Sequence, residues 1–226
     1  MSHLPAHTLR AKAFIFDLDG TLIDTTPLVE RHWRAFAMEH ELDAEKILAT
    51  SHGRRTIETM EQWVPHQATA ERAAAFERTL AQQSDGLSIL PGVLALLEKI
   101  PVDRYGIFTA GNSHMAETRL TQCNMAIPRA MATGDTVSRG KPDPEGCFMI
   151  AKELHVEPQD CLVFEDSPHG IAAACAAGMQ SIGCTTTHTA DQLKEAGATK
   201  VVSLLTDVDI TLLPDGTFEL SVINSL

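Results

Sequence analysis

Three times in this chain a short, wholly apolar run stops abruptly at polar residues. Ala13-Phe14-Ile15-Phe16 runs into Asp17-Leu18-Asp19-Gly20, Tyr105-Gly106-Ile107-Phe108 into Thr109-Ala110-Gly111-Asn112, and Cys161-Leu162-Val163-Phe164 into Glu165-Asp166. An apolar tetrad without alternation reads as a strand buried on both faces. Weaker strand candidates are Ala130–Thr133, Gln180–Cys184 and Lys200–Ser203. Helical stretches fall between them, at about Pro91–Ile100, His114–Cys123, Pro144–Leu154, Pro168–Gly178 and Ala190–Ala196. Strands alternating with helices predict an α/β fold with a mostly parallel sheet and helices on both faces. In such sheets ligands bind beyond the carboxyl ends of the strands, where all three polar segments lie.

The interval from about Thr25 to Ser84 breaks the alternation. Pro27–His40, Ala44–Ser51, Arg54–Val64 and Thr69–Gln83 all read as helices. Pro27 suits a first turn, Asp43 an N-cap, and Ser51-His52-Gly53 a helix stop. The expected organisation is a core of residues 10–24 and 86–226, with a small helical domain, 25–85, inserted after the first strand. The tail reads as a hairpin turning at Asp215-Gly216.

The chain has 226 residues, with 18 Lys and Arg against 30 Asp and Glu, a net charge of −12. That argues against bulk attraction to nucleic acid or to a membrane surface. A small anionic substrate remains compatible with it, because a metal ion reverses the sign of one local site. The five cysteines, Cys123, Cys147, Cys161, Cys175 and Cys184, contain no CxxC pair and read as small buried hydrophobes in a reducing compartment. No apolar run approaches the ~18 residues of a membrane span, and Met1 to Arg10 lacks the order of a signal peptide. The expectation is a cytoplasmic protein, a monomer or weak homo-oligomer. His3 and His7 form a spaced pair, but their terminal position and Pro5 favour a tail.

Asp17 and Asp19 stand two apart at a strand end and so face one side. Two carboxylates there can share a cation or divide the roles of nucleophile and acid/base. Asp-x-Asp-Gly is equally a turn signal. Three further pieces bear on the choice: Thr109 beside Gly111, able to hold an anionic oxygen; Lys141, in a loop braced by Pro142 and Pro144; and Glu165-Asp166, ahead of a helix capped by Asp166 or Ser167. Together they suit a phosphate and a hard, oxygen-loving cation, which points to magnesium. There is no GxxxxGK[ST] and no GxGxxG after the first strand.

The order Phe16-Asp17-Leu18-Asp19-Gly20-Thr21-Leu22, Thr109, Gly140-Lys141-Pro142-Asp143-Pro144, Phe164-Glu165-Asp166-Ser167 resembles the four motifs of the haloacid dehalogenase superfamily. The resemblance runs from Lys12 to about Val202 and implies a Rossmann-like core with a helical cap. Ser51-His52-Gly53-Arg54-Arg55-Thr56 is similar to a cap element of fungal glycerol-3-phosphatases and 2-deoxyglucose-6-phosphatases, and bacterial sugar and hexitol phosphatases carry a related His-Gly element. The resemblance implies magnesium-dependent hydrolysis of a small phosphorylated polyol or sugar through an aspartyl-phosphate. It makes Asp17 the nucleophile and Asp19 the acid/base. Thr109 and Lys141 become holders of the phosphoryl group. Magnesium would be bound by Asp17, Asp166 and the backbone carbonyl of Asp19, with Glu165 orienting them. Substrate contacts would also come from Ala110, Gly111 and Asn112 and, in the cap, from His52, Gly53 and Arg55. Ala110 replaces a Ser or Asn often found in these relatives, so a phosphate contact there must come from backbone, with Asn112 compensating in part.

Other readings stay open. A β-phosphoglucomutase-like phosphoryl transfer shares all four motifs, though Thr21 is more usual in the phosphatases. A haloacid dehalogenase lacks the second aspartate. An imine-forming phosphonate hydrolase needs a cap lysine, for which Lys46 is the sole candidate. A binding module that had lost catalysis is expected to lose one of Asp17, Asp19, Lys141 or Asp166. Trp33, Phe36 and Met38 read as packing residues, and His169 as a solvated helix start.

Overall fold

In the first apolar strand, Phe14 and Phe16 join one hydrophobic cluster while Ala13 and Ile15 join another. This is the period-2 alternation of a strand covered on both sides. The computed structural model describes residues 8–226. In chain order its strands are β1 (Thr8–Ala11), β2 (Ala13–Phe16), β3 (Ile23–Asp24), β4 (Ser88–Ile89), β5 (Tyr105–Phe108), β6 (Ala130–Ala132), β7 (Cys161–Glu165), β8 (Gln180–Cys184), β9 (Lys200–Val202), β10 (Val208–Leu212) and β11 (Phe218–Val222). The α-helices are α1 (Thr26–Glu39), α2 (Ala44–Ser51), α3 (Thr56–Trp63), α4 (Ala70–Ala81), α5 (Val93–Leu97), α6 (Ser113–Gln122), α7 (Glu145–Glu153), α8 (Pro168–Ala176) and α9 (Ala190–Glu195). The expected α/β fold is the observed one.

The main sheet has the order β6-β5-β2-β7-β8-β9 and is parallel throughout. The chain leaves β2 for β5 and β6 on one side, then returns to β7 on the other. β2 is therefore the switch point, where diverging connections open a crevice beyond the strand ends. Register sharpens this. Phe16 lies opposite both Ile107 and Phe164, so Asp17, the turn after Phe108, and Glu165 leave three adjacent strands at nearly one level.

Residues of α7 and α8 cover one face with Cys147, Ile150 and Ala173. Residues of α5 and α6 cover the other with Val93, Leu96 and Leu120. That second face is completed by the tail: β10 and β11 form the expected hairpin around Asp215-Gly216, and Phe218 meets Phe14 edge-on at 5.0 Å. The sequence did not announce β1, which pairs antiparallel with β11. Four residues carry too little pattern, and the partner lies at the far end of the chain. His3 and His7 lie outside the described residues.

The helices α1 to α4 enclose a separate cluster built on Trp33, Phe36, Ile47 and Met60. Met38 is not part of it: at 83% exposure it faces solvent, one residue off the buried stripe. Cys147, Cys161 and Cys184 are buried as expected, but Cys175 is exposed and Cys123 half-buried. Among the described residues no helix is long and apolar enough to cross a membrane.

Because Phe218 seals the β2 face, the tail contributes to the core. Phe218→Ala should destabilise the fold by about 3–5 kcal/mol, read as a lower urea midpoint with an unchanged slope.

Candidate active site

Two of the three polar segments meet at one buried amine. The Lys141 Nζ donates to Asp17 Oδ1 at 2.6 Å and to Glu165 Oε2 at 2.7 Å, with both side chains almost wholly buried. Its flank lies over the Phe108 ring, 4.9 Å from the centroid. Glu165 is fully engaged: its other oxygen, Oε1, accepts from the Asp166 N–H, the Ser167 N–H and the Ser167 hydroxyl. Its part is thus to fix Lys141 and the turn into α8, whose N-cap is Ser167, accepting from Gly170 N.

Asp17, Glu165 and Asp166 bring carboxylate oxygens within 4.8 Å of one another, all three buried. One ammonium faces three carboxylates, so full ionisation leaves two negative charges uncompensated. Asp17 Oδ2 is buried without a hydrogen-bond partner. A divalent, oxygen-seeking cation fits both the charge deficit and the orphaned oxygen. Asp166 is held for that role, accepting from Thr21 Oγ1 at 3.2 Å and from the Thr187 hydroxyl. Gly20 permits the approach. Its φ is +92°, and a Cβ there would lie 2.4 Å from Asp166 Oδ2. The Asp19 side chain stands outside this cluster, half-buried, accepting from Thr109 Oγ1 at 3.2 Å.

Burial, then the Glu165 charge, pushes Asp17 up to about 8 against the pull of Lys141. Asp166 is raised for the same leading reason, with Asp17 next. Lys141 is raised because the attraction of Asp17 and Glu165 outweighs its burial.

The loop after β5 is ordered from within. Thr109 Oγ1 accepts from Gly111 N at 3.1 Å, and Thr109 N donates to Ala132 O. Among the described residues the Ala110 N–H has no acceptor, which leaves a backbone donor where the alanine side chain offers none. Asn112 keeps only its side-chain amide Nδ2 as a donor. Its Oδ1 caps α6 by accepting from Met115 N, and its N–H donates to Glu77 Oε2 at 2.8 Å.

Helices α1 to α4 close over these groups. Gly53, at φ +75°, lies so near the start of α8 that a Cβ would sit 2.3 Å from Ser167 Oγ. Between the helices and the sheet is a cavity of about 70 Å³ whose walls include Asp19, His52, Gly53, Arg54, Ala110 and Gly111. Arg55 is elsewhere: its guanidinium pairs with Glu58 at 2.6 Å and reaches the Ser138 carbonyl at 3.4 Å, over Gly140. It ties helix α3 to the segment that delivers Lys141. Lys46 is exposed and lies 3.8 Å from Asp43, away from the site. His169 is half-buried, with Nδ1 unpartnered, rather than solvated. Thr187 and Glu77 were not singled out in the sequence. Thr187 follows β8, a weak strand whose polar end obeys the same rule as the stronger ones.

Residues 11–178 match the family described as "Hydrolase: haloacid dehalogenase-like hydrolase". The chain is 34% identical to Hexitol phosphatase A of Escherichia coli over 92% of its length and 98% of that protein's. It is 32% identical to Glycerol-1-phosphate phosphohydrolase 2 of Saccharomyces cerevisiae, covering 86% of this chain and 83% of that protein. Among solved structures, a hydrolase from Pseudomonas syringae superposes with a TM-score of 0.75 at 26% identity, covering 86% of this chain and 94% of the other.

The raised carboxyls set a pH dependence. The unfolded Asp17 loses its proton near 3.8 and the folded one near 8. Between those values the folded state binds more protons, so stability falls as pH rises. His52, His169 and His188 are all lowered by burial and act oppositely only at lower pH, while Lys141 stays charged in both states. Chelator-treated protein should therefore lose stability between about pH 7 and 8, by up to ~1.4 kcal/mol per pH unit for each carboxyl still protonated. Denaturant titrations should show magnesium flattening this slope and Asp17→Asn reducing it.

Proposed function

The chain belongs to the haloacid dehalogenase-like hydrolase family, and on that premise we propose that it hydrolyses a small phosphorylated polyol or sugar with the help of magnesium. It is a phosphoric monoester hydrolase, as its named relatives are. One observation carries the mechanism. Lys141 fixes Asp17 Oδ1 and leaves Oδ2 unpartnered, while Asp19, two residues on, lines the cavity between cap and sheet.

In the proposed reaction an Asp17 carboxylate oxygen attacks phosphorus. The bond from phosphorus to the alcohol oxygen breaks as protonated Asp19 gives that oxygen its proton. Asp19, now a carboxylate, takes a proton from a water whose oxygen attacks the aspartyl phosphate. Inorganic phosphate leaves and both carboxyl groups are restored. The Thr109 hydroxyl is placed to orient Asp19, and the Ala110 N–H to donate to a phosphoryl oxygen. Asp17 and Asp166 would hold magnesium, with the Asp19 carbonyl. The ion supplies charge neutralisation for the phosphoryl group when bound. The helical cap supplies the walls against which the alcohol is sorted. The substrate is a small phosphorylated metabolite, and the proposed setting is the cytoplasm.

Phosphate release from a panel of glycerol, hexitol and hexose phosphates tests the reading. Chelation should abolish turnover and magnesium restore it; full activity in chelator would sink the cation's role. Conversion of β-glucose 1-phosphate to its isomer without phosphate release would favour the mutase reading instead.

The two aspartates should fail differently. Asp17→Asn should form no phosphoenzyme with an activated aryl phosphate, whereas Asp19→Asn should form one that decays slowly. Mass spectrometry of the quenched protein distinguishes them, and an adduct on Asp17→Asn would refute the assignment.

Arg55 bonds to Glu58 and the core and does not wall the cavity. Arg55→Ala should therefore slow a phosphopolyol and an aryl phosphate alike, by roughly tenfold in kcat/KM. A loss confined to the polyol substrate would place Arg55 on the alcohol.

A further inference from the structure

Glu77 is a carboxylate on the core-facing side of α4, only 5% exposed, and the reaction just described gives it no part. It comes from the cap, yet its Oε2 accepts the Asn112 N–H at 2.8 Å, in the loop that follows β5. Burial raises its pKa, an effect that the Thr56 hydroxyl and the Asn112 amide oppose. A buried carboxylate that receives a backbone N–H makes one of the stronger hydrogen bonds available to a protein.

What it grips matters. Asn112 ends the loop in which Thr109 Oγ1 accepts from Gly111 N and donates to Asp19 Oδ2. Asn112 also caps α6 through Met115 N. A continuous path of short contacts thus runs from the cap carboxylate, through the four-residue loop, to the acid/base aspartate. The other nearby ties between cap and core reach different segments: Arg55 reaches Ser138, Gly53 presses on Ser167, and Arg119 donates to the Leu80 carbonyl at the end of α4.

We propose that Glu77 is a positioning residue, a latch by which the closed cap holds the Thr109–Asn112 loop in its working arrangement. Opening the cap withdraws the acceptor from the Asn112 N–H and loosens that end of the loop, while Gly111 keeps its tie to Gly134 and Ser113 its tie to Asp135. The latch makes core geometry depend on cap closure. Its effect on turnover rests on the phosphatase reading, while its effect on the loop does not.

The test compares wild type, Glu77→Ala and Glu77→Gln in two measurements. Glutamine keeps a carbonyl oxygen able to accept the same N–H. Amide hydrogen exchange should show the Asn112 N–H exchanging about ten- to a hundredfold faster in Glu77→Ala, with Leu120 in α6 unchanged and protection largely restored in Glu77→Gln. For a phosphopolyol and an aryl phosphate, kcat should fall about tenfold or more in Glu77→Ala with KM within about threefold, and recover in Glu77→Gln. Unchanged exchange at Asn112 in Glu77→Ala would overturn the latch whatever the activity. So would a glutamine variant that folds but matches alanine in both measurements. If wild type turns over neither substrate while Asn112 still depends on Glu77, the phosphatase reading fails and the latch stands.

Discussion

Everything in the site hangs on an ammonium buried among carboxylates. Lys141 is almost wholly buried, and its charge is tolerated because Asp17 and Glu165 both accept from it. Removing two charges from water is costly, and the attraction between them repays that cost only when geometry and remaining hydrogen bonds are satisfied. Here they are. Glu165 spends its second oxygen on the first turn of α8, so strand β7, helix α8 and the Lys141 loop are locked together. The three residues lie 124 and 24 positions apart along the chain. They meet only if β2 and β7 pair in register, so the sheet and the site are specified jointly.

The same arithmetic supports the proposed cation. Lys141 neutralises one carboxylate of three, and the structure relieves the surplus by raising Asp17 and Asp166. In the proposed mechanism a nucleophile kept protonated is of little use. A divalent ion beside Asp17 Oδ2 would remove the reason for protonation, and so would serve the attacking group before any substrate arrives. Burial that costs stability would then become an advantage, because charges act strongly where water is excluded.

Much of this was legible in the sequence, for a physical reason. Strands buried on both faces must be apolar, so their ends are marked by an abrupt change to polar residues, and Asp17, Thr109 and Glu165 stand at such changes. The helical insertion was legible too, because Pro27, Asp43 and Gly53 punctuate it. What escaped depends on long-range contact. β1 is visible only through its pairing with β11. Asn112 reads as a ligand beside Gly111, and its sequence context does not show that capping α6 takes its side-chain oxygen and Glu77 its backbone N–H, leaving Nδ2 as its donor. Arg55 reads as a polar loop residue facing the site, yet Glu58 and the Ser138 carbonyl claim it. Glu77 carries no local signal at all, since a glutamate on an amphipathic helix is ordinarily solvated.

A chain of net charge −12 for which a phosphate ester is the proposed substrate would still have to admit an anion. The bulk field is screened within ~8 Å at physiological salt, so the local set at the mouth decides. An open groove beside the Lys141 loop is lined by Arg54, Arg55 and Arg139. Two of these charges are spent: Arg55 on Glu58, and Arg139 on Asp143 at 3.0 Å. Arg54 instead donates to the neutral Gln62 at 2.6 Å and also borders the enclosed cavity. Among the described residues that line the groove, its charge is therefore the arginine charge not cancelled by a carboxylate partner. In the proposed reading attraction would come from Arg54 of the cap and neutralisation at the reacting group from the core, so a strongly acidic protein could carry a site for an anion.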